Sequence, residues 1–529
     1  MKLLKRIILL GSSGLIAVGG VQAADLPVKA KAVDYVRVCS PYGVGFYYIP
    51  GTDTCLRLGG YLRVDVVANA NGVGTGNYAG PAGANNLFTN GYTWRSRAKL
   101  NIDTRTATEY GVARTYFEGV YTWTTGSYSG QGNGSTVYDA VGGVAAQNNA
   151  SGGAVAGGSL GVYYAFIQFA GFTIGKAVPQ FSAPWTNYPG NIFDGLVGGG
   201  GGLTGVNQFS YAADFGQGVT AAISAEDQTA YYQAGLLNTN APSGSSPFGG
   251  SNYAGTILPD FSGMVRVDQA WGLIQASAAL HNNHAAYYGS SGPGFANSGT
   301  ELAGHPQDKW GWAAQLALSI KDIPTGPGDT INVQGVYTSG ATRYNITPDL
   351  GSQAGSAIIY GGARLAGAYQ SVGYGFAPDT VFGMLPDGTN SSQQAVTTWG
   401  FRGAYAHNWD PYWRTSIYGA YAAVSYNGTA KTLICGNGTA AYRGSFGSQL
   451  SANLTTCNPD YNIAQLGLAT GWTPVKNLTF TADLTYTMLD QKMVGTVNAA
   501  SAGIGKPAAT YELKDQNTLT LMLRAQRNW

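Results

Sequence analysis

The feature that most constrains the fold of this chain is the ordered rhythm of its segments and connections. Sixteen stretches alternate apolar with polar side chains and end in turn residues, the pattern of strands with two unlike faces. They are 56–68, 92–104, 109–123, 160–169, 172–178, 206–215, 217–227, 260–270, 271–282, 308–323, 328–341, 396–409, 412–427, 461–473, 475–490 and 515–528. Seven connections are short, around Thr106, Ala170-Gly171, Gly216-Gln217, Ala270, Thr325, Asp410-Pro411 and Thr473-Pro474. The other eight are long, about 20 to 55 residues, far above the usual loop length. Short and long strictly alternate. A soluble sandwich has no reason to gather every long loop at one end, whereas a barrel built from hairpins does. An even strand number also lets the first and last strands pair and removes the open edges. The expected fold class is all-β: a 16-stranded antiparallel transmembrane β-barrel with short periplasmic turns and long outer loops.

Composition agrees. Charged residues are 11% of the chain, against about 25% in ordinary soluble domains. The 79 glycines of 529 residues are roughly twice normal usage. With 44% apolar residues a disordered polyelectrolyte is excluded. A net charge of +2 is too balanced for a nucleic-acid binder that neutralises many phosphates, so no nucleic-acid partner is expected.

Residues 1–23 read as a secretory signal peptide. Lys2, Lys5 and Arg6 form a basic start, a short apolar stretch follows, and Val21-Gln22-Ala23 supplies small residues for cleavage. Losing those three basic residues takes the net charge from +2 to −1. No later apolar run reaches the length of a spanning helix. Export without such a helix leaves a periplasmic or secreted protein, or a barrel in an outer membrane.

The four cysteines suit an oxidising compartment. Three pairings are possible. The pairing Cys39–Cys55 with Cys435–Cys457 closes the shortest loops and is the one expected. No Cys-x-x-Cys occurs and the four histidines lie far from the cysteines in sequence, so no metal is expected. The organisation read from the chain is a signal peptide (1–23), an N-terminal extension with a disulfide (24–55) and a barrel (56–529).

The polar faces distinguish core from lumen. In the first segment Leu56, Leu58, Leu62, Val64 and Val66 alternate with Arg57, Gly59, Tyr61, Arg63 and Asp65. In the second, Trp94, Ala98, Leu100 and Ile102 alternate with Arg95, Arg97, Lys99, Asn101 and Asp103. In the last, Leu519, Leu521 and Leu523 oppose Thr518, Thr520, Arg524 and Gln526. A barrel of this size has a wet interior that such side chains can line. Trp271, Trp409, Trp413 and Trp472 sit beside short turns, while Tyr92, Trp94, Tyr121 and Trp123 sit at long-loop ends. Two aromatic rows at strand ends match the two interfaces of a bilayer. The terminal Trp529, after an amphipathic strand, suits recognition by the outer-membrane assembly machinery.

Several blocks resemble the alphaproteobacterial general porin family. They are Val38-Cys39-Ser40-Pro41-Tyr42-Gly43, Phe46 through Cys55, Leu58-Gly59-Gly60-Tyr61, Phe166 through Phe172, Arg266 through Gly272, Asp308 through Trp312 and Trp472 through Phe480. They run in family order from about 36 to the end of the chain. The resemblance implies sixteen strands, a homotrimer in outer-membrane lipid, passive diffusion of small hydrophilic solutes and ions, no cofactor, and a third long loop folded into the lumen. Two features depart from the family: the last residue is Trp529 rather than Phe, and the third loop carries a 198–202 glycine run and little acid.

On this reading loop 3, roughly 179–205, pins its aromatics Phe181, Trp185, Tyr188 and Phe193 to the inner wall and presents Asp194. The expected pore-lining and constriction residues facing it are Arg57, Arg63, Arg95, Arg97, Lys99 and Arg114. These set a transverse field, felt in a narrow constriction because screening extends over about 8–10 Å at physiological salt. No Gly-x-Ser-x-Gly, His-Glu-x-x-His or Walker lysine occurs, and Gly175-Lys176 is followed by Ala177, so no catalytic residues and no enzyme are expected. His281 and His284 are expected to be exposed surface histidines. The alternatives are a substrate-selective outer-membrane channel and a non-conducting surface barrel such as an adhesin.

Overall fold

The computed structural model describes residues 37–68, 92–124, 159–200, 204–227, 232–240, 253–288, 301–346, 358–361, 371–436, 453–499 and 509–529. The expected signal peptide, the part of the extension before Arg37, and the first two long loops lie outside the described residues.

Alternating side chains become strands where the sequence places them. The barrel strands are β1 (Cys55–Ala68), β2 (Tyr92–Thr108), β3 (Gly111–Thr124), β4 (Ser159–Phe169), β5 (Phe172–Ala177), β6 (Val206–Asp214), β7 (Val219–Glu226) and β8 (Asp260–Gln269). They continue as β9 (Gly272–Asn283), β10 (Lys309–Lys321), β11 (Thr330–Ser339), β12 (Thr397–Asn408), β13 (Trp413–Ser425), β14 (Tyr461–Val475), β15 (Leu478–Gln491) and β16 (Gln516–Asn528). Each pairs antiparallel with its sequence neighbour, and β16 pairs back onto β1 with Val66 opposite Leu523. The sheet therefore closes. Trp529 seals the seam: its backbone N–H donates to the Gly60 carbonyl at 3.2 Å. A Cβ at Gly60 would lie 2.9 Å from the Trp529 ring and 2.0 Å from the Lys99 carbonyl oxygen, so the seam requires glycine there.

Register fixes which face is which, because a one-residue slip would turn every side chain over. The apolar row points outward: Leu58 is 50% exposed and Leu62 57%. Trp94, Leu100, Leu519 and Leu523 are likewise exposed. Exposed apolar side chains all round a closed sheet are stabilised by hydrocarbon, not water. Trp413 and Trp472 are cross-strand partners beside the short turns, with ring centroids 5.8 Å apart, and Trp310, Trp312 and Trp399 are exposed near the long-loop end.

Both disulfides form as expected, Cys39–Cys55 and Cys435–Cys457. The first ties the segment from Arg37 to the start of β1, where Phe46 packs beside the two buried sulfurs. The second joins the end of a short helix, Gly428–Cys435, to the strand segment before β14. The described parts of the later long connections carry further strands. Five short strands, 358–361, 371–375, 453–456, 494–499 and 509–513, form one extra sheet, and 236–238, 380–382 and 394–395 form another. Their buried side chains, including Val372, Phe376, Leu433, Ile434 and Val497, join those of Tyr418, Val424 and Ile463 from the wall in one apolar core. Val67 of β1, Met522 of β16, and Phe193, Leu196 and Val197 of the connection between β5 and β6 belong to the same core.

The histidine expectation needs one correction. His281 is fully buried, with Nδ1 2.8 Å from the Asp260 carboxylate and Nε2 2.8 Å from the Tyr253 hydroxyl. It lies on the inward row of β9, and the loops that close over it come from distant sequence. His284 stays partly exposed beside Asp308.

Candidate pore constriction

Loop 3 leaves β5 after Ala177 and returns at Val206. Its Phe181 and Phe193 are buried. The Trp185 indole donates to Gln334 Oε1 on β11 at 2.6 Å. The backbone N–H of Ile192 donates to Asp483 on β15 at 2.8 Å, and that of Val197 to Gln465 on β14 at 2.9 Å. Side-chain amides donate back: Gln275 on β9 to Ser182 O at 3.0 Å, and Gln315 on β10 to Phe181 O at 2.9 Å. These are inward-facing wall residues, so the loop lies inside the barrel.

Two features seat it closely. Arg402 on β12 is almost fully buried and donates to Leu196 O at 3.0 Å, to Asn187 Oδ1 at 3.3 Å and to Thr186 O. Gly198, Gly199 and Gly200 approach the wall and its neighbours closely. Gly198 has φ +85°, and a Cβ there would stand 2.2 Å from the Phe401 carbonyl oxygen. Only glycine permits both that backbone conformation and that approach.

Opposite this anchorage stands the basic wall of β1, β2, β3 and β16. Asp65 is fully buried between two guanidinium groups, Arg95 at 2.7 Å and Arg524 at 2.6 Å. Lys99 donates to Glu118 at 3.1 Å. Asp103 gathers Arg114 at 3.0 Å, Arg105 at 3.1 Å and Arg57 at 3.5 Å. Arg63 donates through Nε to Gln526 Oε1 at 2.7 Å, and Arg97 through Nε to Thr122 Oγ1 at 3.2 Å. Loop 3 presents Tyr188 and Asp194, whose side chains hydrogen-bond each other. The Asp194 carboxylate is near enough to Arg95 to interact with it electrostatically, as Tyr188 is with Arg63 and Arg524.

The structure thus places all the expected residues on inward faces, at different heights. Arg95, Arg97 and Arg63 lie toward the long-loop end with Asp65. Arg57 and Arg114 share Asp103 with Arg105 nearer the turn that joins β2 to β3. The basic row is a ladder along the bore rather than one ring. Sequence reasoning missed Asp103, Glu118, Arg105, Arg402 and Arg524 as members of this network, although Asp103 and Arg524 do stand on the alternating polar faces. The alternation marks Asp65 only as a polar-face residue.

The chemical consequence is a row of fixed charges facing the inside of a closed barrel. Arg57, Arg63, Arg97, Lys99, Arg114, Tyr188 and Asp194 all face into a closed barrel and remain partly exposed. The water they meet is water in the lumen. Among the described residues no group of three or more His, Cys, Asp or Glu side chains is arranged to hold a metal ion.

Comparison with known proteins adds relatives of the same kind. A family model described as "Porin subfamily" matches residues 25–522. Porin Omp2b of Brucella neotomae is 28% identical over 364 residues, covering 68% of this chain and 80% of that protein. Porin Omp2b of Brucella suis biovar 1 (strain 1330) is 31% identical over 279 residues, covering 52% of this chain and 65% of that protein. The outer membrane channel DcaP of Acinetobacter baumannii is similar in fold, with a TM-score of 0.53 at 14% identity over 91% of this chain and 99% of that one.

Proposed function

This chain belongs to the porin subfamily and is an outer-membrane β-barrel channel for passive diffusion, and we propose that its constriction lies between loop 3 and the arginine-bearing wall of β1 and β2. The observation that carries this reading is the partial exposure of charged side chains that point into a closed barrel. An inward row buried in a packed core would leave no such surface. Solutes pass along the basic side, where these partly exposed charges stand. There the field between Asp194 and the Arg95 side orients dipolar solutes and sets ion preference. The test replaces Arg95 and Arg97 together by glutamine and measures the anion-to-cation permeability ratio in planar bilayers. A fall in anion preference supports the reading; an unchanged ratio removes these residues from the constriction.

Finer parts of the proposal rest on family resemblance and on the sequence. They are a homotrimer, small hydrophilic solutes and ions as cargo, delivery by the assembly machinery through β16, absence of enzymatic activity, and cleavage after Ala23 ahead of a disulfide-bearing extension. Cross-linking of the protein in native membranes tests the trimer, and amino-terminal sequencing of the mature chain tests the cleavage. A channel selective for one solute would be favoured by saturable flux of that solute alone in liposomes. A non-conducting surface barrel predicts no bilayer current.

A further inference from the structure

His281 is a fully buried titratable group that takes no part in the basic wall. Its neighbours fix its protons. Nδ1 stands 2.8 Å from Asp260 Oδ1 on β8, and Nε2 stands 2.8 Å from the hydroxyl of Tyr253, in the connection between β7 and β8. The same hydroxyl lies 2.8 Å from Asp379 Oδ2, in the connection between β11 and β12, and 2.8 Å from Asn283 Oδ1. The Asn283 amide nitrogen donates to the Gly340 carbonyl, so its oxygen is the atom that faces Tyr253. Asp379 also accepts the backbone N–H of Ala234 at 2.8 Å and of Thr342 at 2.6 Å. Burial pushes the Asp379 carboxyl above its ordinary range, and His281 together with these donors opposes that rise. A hydroxyl has one hydrogen to give, and the carboxylate and the amide oxygen only accept. The Tyr253 hydrogen therefore points to them, and its oxygen takes the third contact as an acceptor from Nε2–H. Nδ1–H faces a carboxylate. Both ring nitrogens donate, so the ring is an imidazolium.

Two long connections and the foot of loop 3 meet around this ring. Tyr344, in the connection between β11 and β12, donates to Asp260 Oδ2 at 2.6 Å. Its ring stacks on Tyr232 with centroids 4.1 Å apart and meets Phe181 of loop 3 at 4.7 Å. The charged groups nearby are Asp260, Asp379, Glu226 of β7, which interacts electrostatically with Asp260, and Arg343, which does so with Tyr253. All four are buried. We propose that His281 is a proton latch: while both ring nitrogens are protonated, the segments 232–240 and 341–346 stay seated on the wall and steady the foot of loop 3, and loss of one proton at alkaline pH frees them. Without that proton three acceptors compete for one hydroxyl hydrogen, and the buried carboxylates lose the cation they share, which is costly. The proton belongs to the seated state, so seating is complete at neutral pH and declines as pH rises. One proton changes the ratio of seated to released segments by at most about tenfold per pH unit. The latch goes beyond the diffusion reading and needs it only where current is the readout.

The experiment follows the full-length protein, labelled with 15N-histidine in detergent micelles, from pH 6 to pH 10. The His281 signal, identified by its loss in H281Q, should show two protonated ring nitrogens at pH 7.5 and lose one proton at alkaline pH. Hydrogen exchange, corrected for its intrinsic pH dependence, should rise over the same range in peptides 232–240 and 341–346, by about tenfold relative to the wall peptide 273–279. In planar bilayers the open-channel current should turn noisy over that range. H281Q should exchange fast at every pH and show no transition. Y253F, which takes away the acceptor of the Nε2 proton, should move the transition to lower pH. A neutral His281 ring at pH 7.5, exchange that does not change between pH 6 and pH 10, quiet open-channel current throughout, or the wild-type transition kept in H281Q or Y253F barrels that still show heat-modifiable migration overturns the latch. Absence of any current at every pH, with the exchange transition intact, counts against the channel reading and leaves the latch standing.

Discussion

Replacing Arg402 by methionine removes the cation that ties loop 3 to β12 while keeping much of the side-chain volume. Arg402 is almost fully buried and donates three hydrogen bonds to the loop, to Asn187, Leu196 and Thr186. A hydrogen bond from a charged donor contributes about 1.5–3 kcal/mol net, and an acceptor left buried without a partner costs about 1–3 kcal/mol. The three bonds act as one unit, so they do not add in full; a loss of about 3–5 kcal/mol in loop seating is expected, as for breaking a buried charged contact. At 1.4 kcal/mol per factor of ten, the ratio of seated to released loop falls roughly 10²- to 10⁴-fold. Release stays incomplete because Trp185, Ile192 and Val197 keep their own partners on β11, β15 and β14. The variant should therefore show noisy open-channel current with larger substates, and liposome swelling should admit larger sugars than the wild type admits. Arg402→Lys, which keeps the charge and loses the fork, should fall between. Quiet current and an unchanged sugar cut-off, from a barrel that still shows heat-modifiable migration, would refute the idea that this residue holds the loop.

Four further outcomes are expected. Gly198→Val forces a side chain into a left-handed backbone, at about 1–2 kcal/mol, and against the Phe401 carbonyl, so swelling assays should show the same enlarged cut-off. Asp65→Asn strips the shared carboxylate from Arg95 and Arg524, costs about 3–5 kcal/mol locally, and should raise the anion-to-cation permeability ratio measured from reversal potentials. Asp194→Asn removes the one acid of loop 3 and should shift that ratio the same way without a large change in barrel melting. Replacing Cys435 and Cys457 by serine together should lower the stability of the connection between β13 and β14 by about 3 kcal/mol, seen as faster proteolysis around the helix Gly428–Cys435 with barrel melting nearly unchanged.

The strands were readable because a strand's instruction is local. Two-residue alternation assigns Leu58 and Leu62 to lipid and Arg57 and Arg63 to the bore before any pairing is known. The order of short and long connections then leaves few topologies, and an even count permits closure. Loop 3 was readable in outline only. Its buried aromatics and glycine run fit a segment pressed on a wall, but its partners Gln334, Arg402, Gln465 and Asp483 stand on strands far along the chain.

The sequence by itself therefore determined the architecture and the sign of each face, since both follow from the spacing of neighbouring residues and from what lipid and water each tolerate. Only the folded barrel decided which charges are spent on one another. Asp65 meets Arg524 across 459 residues, a contact made by closing the sheet. The β1–β2 and β2–β3 pairings gave Asp103 three arginines, and the register left Arg63 and Arg97 with none of the acids. That division depends on register, on height along the bore and on the seating of loop 3, all of which are set by long-range pairing and are invisible in any local window.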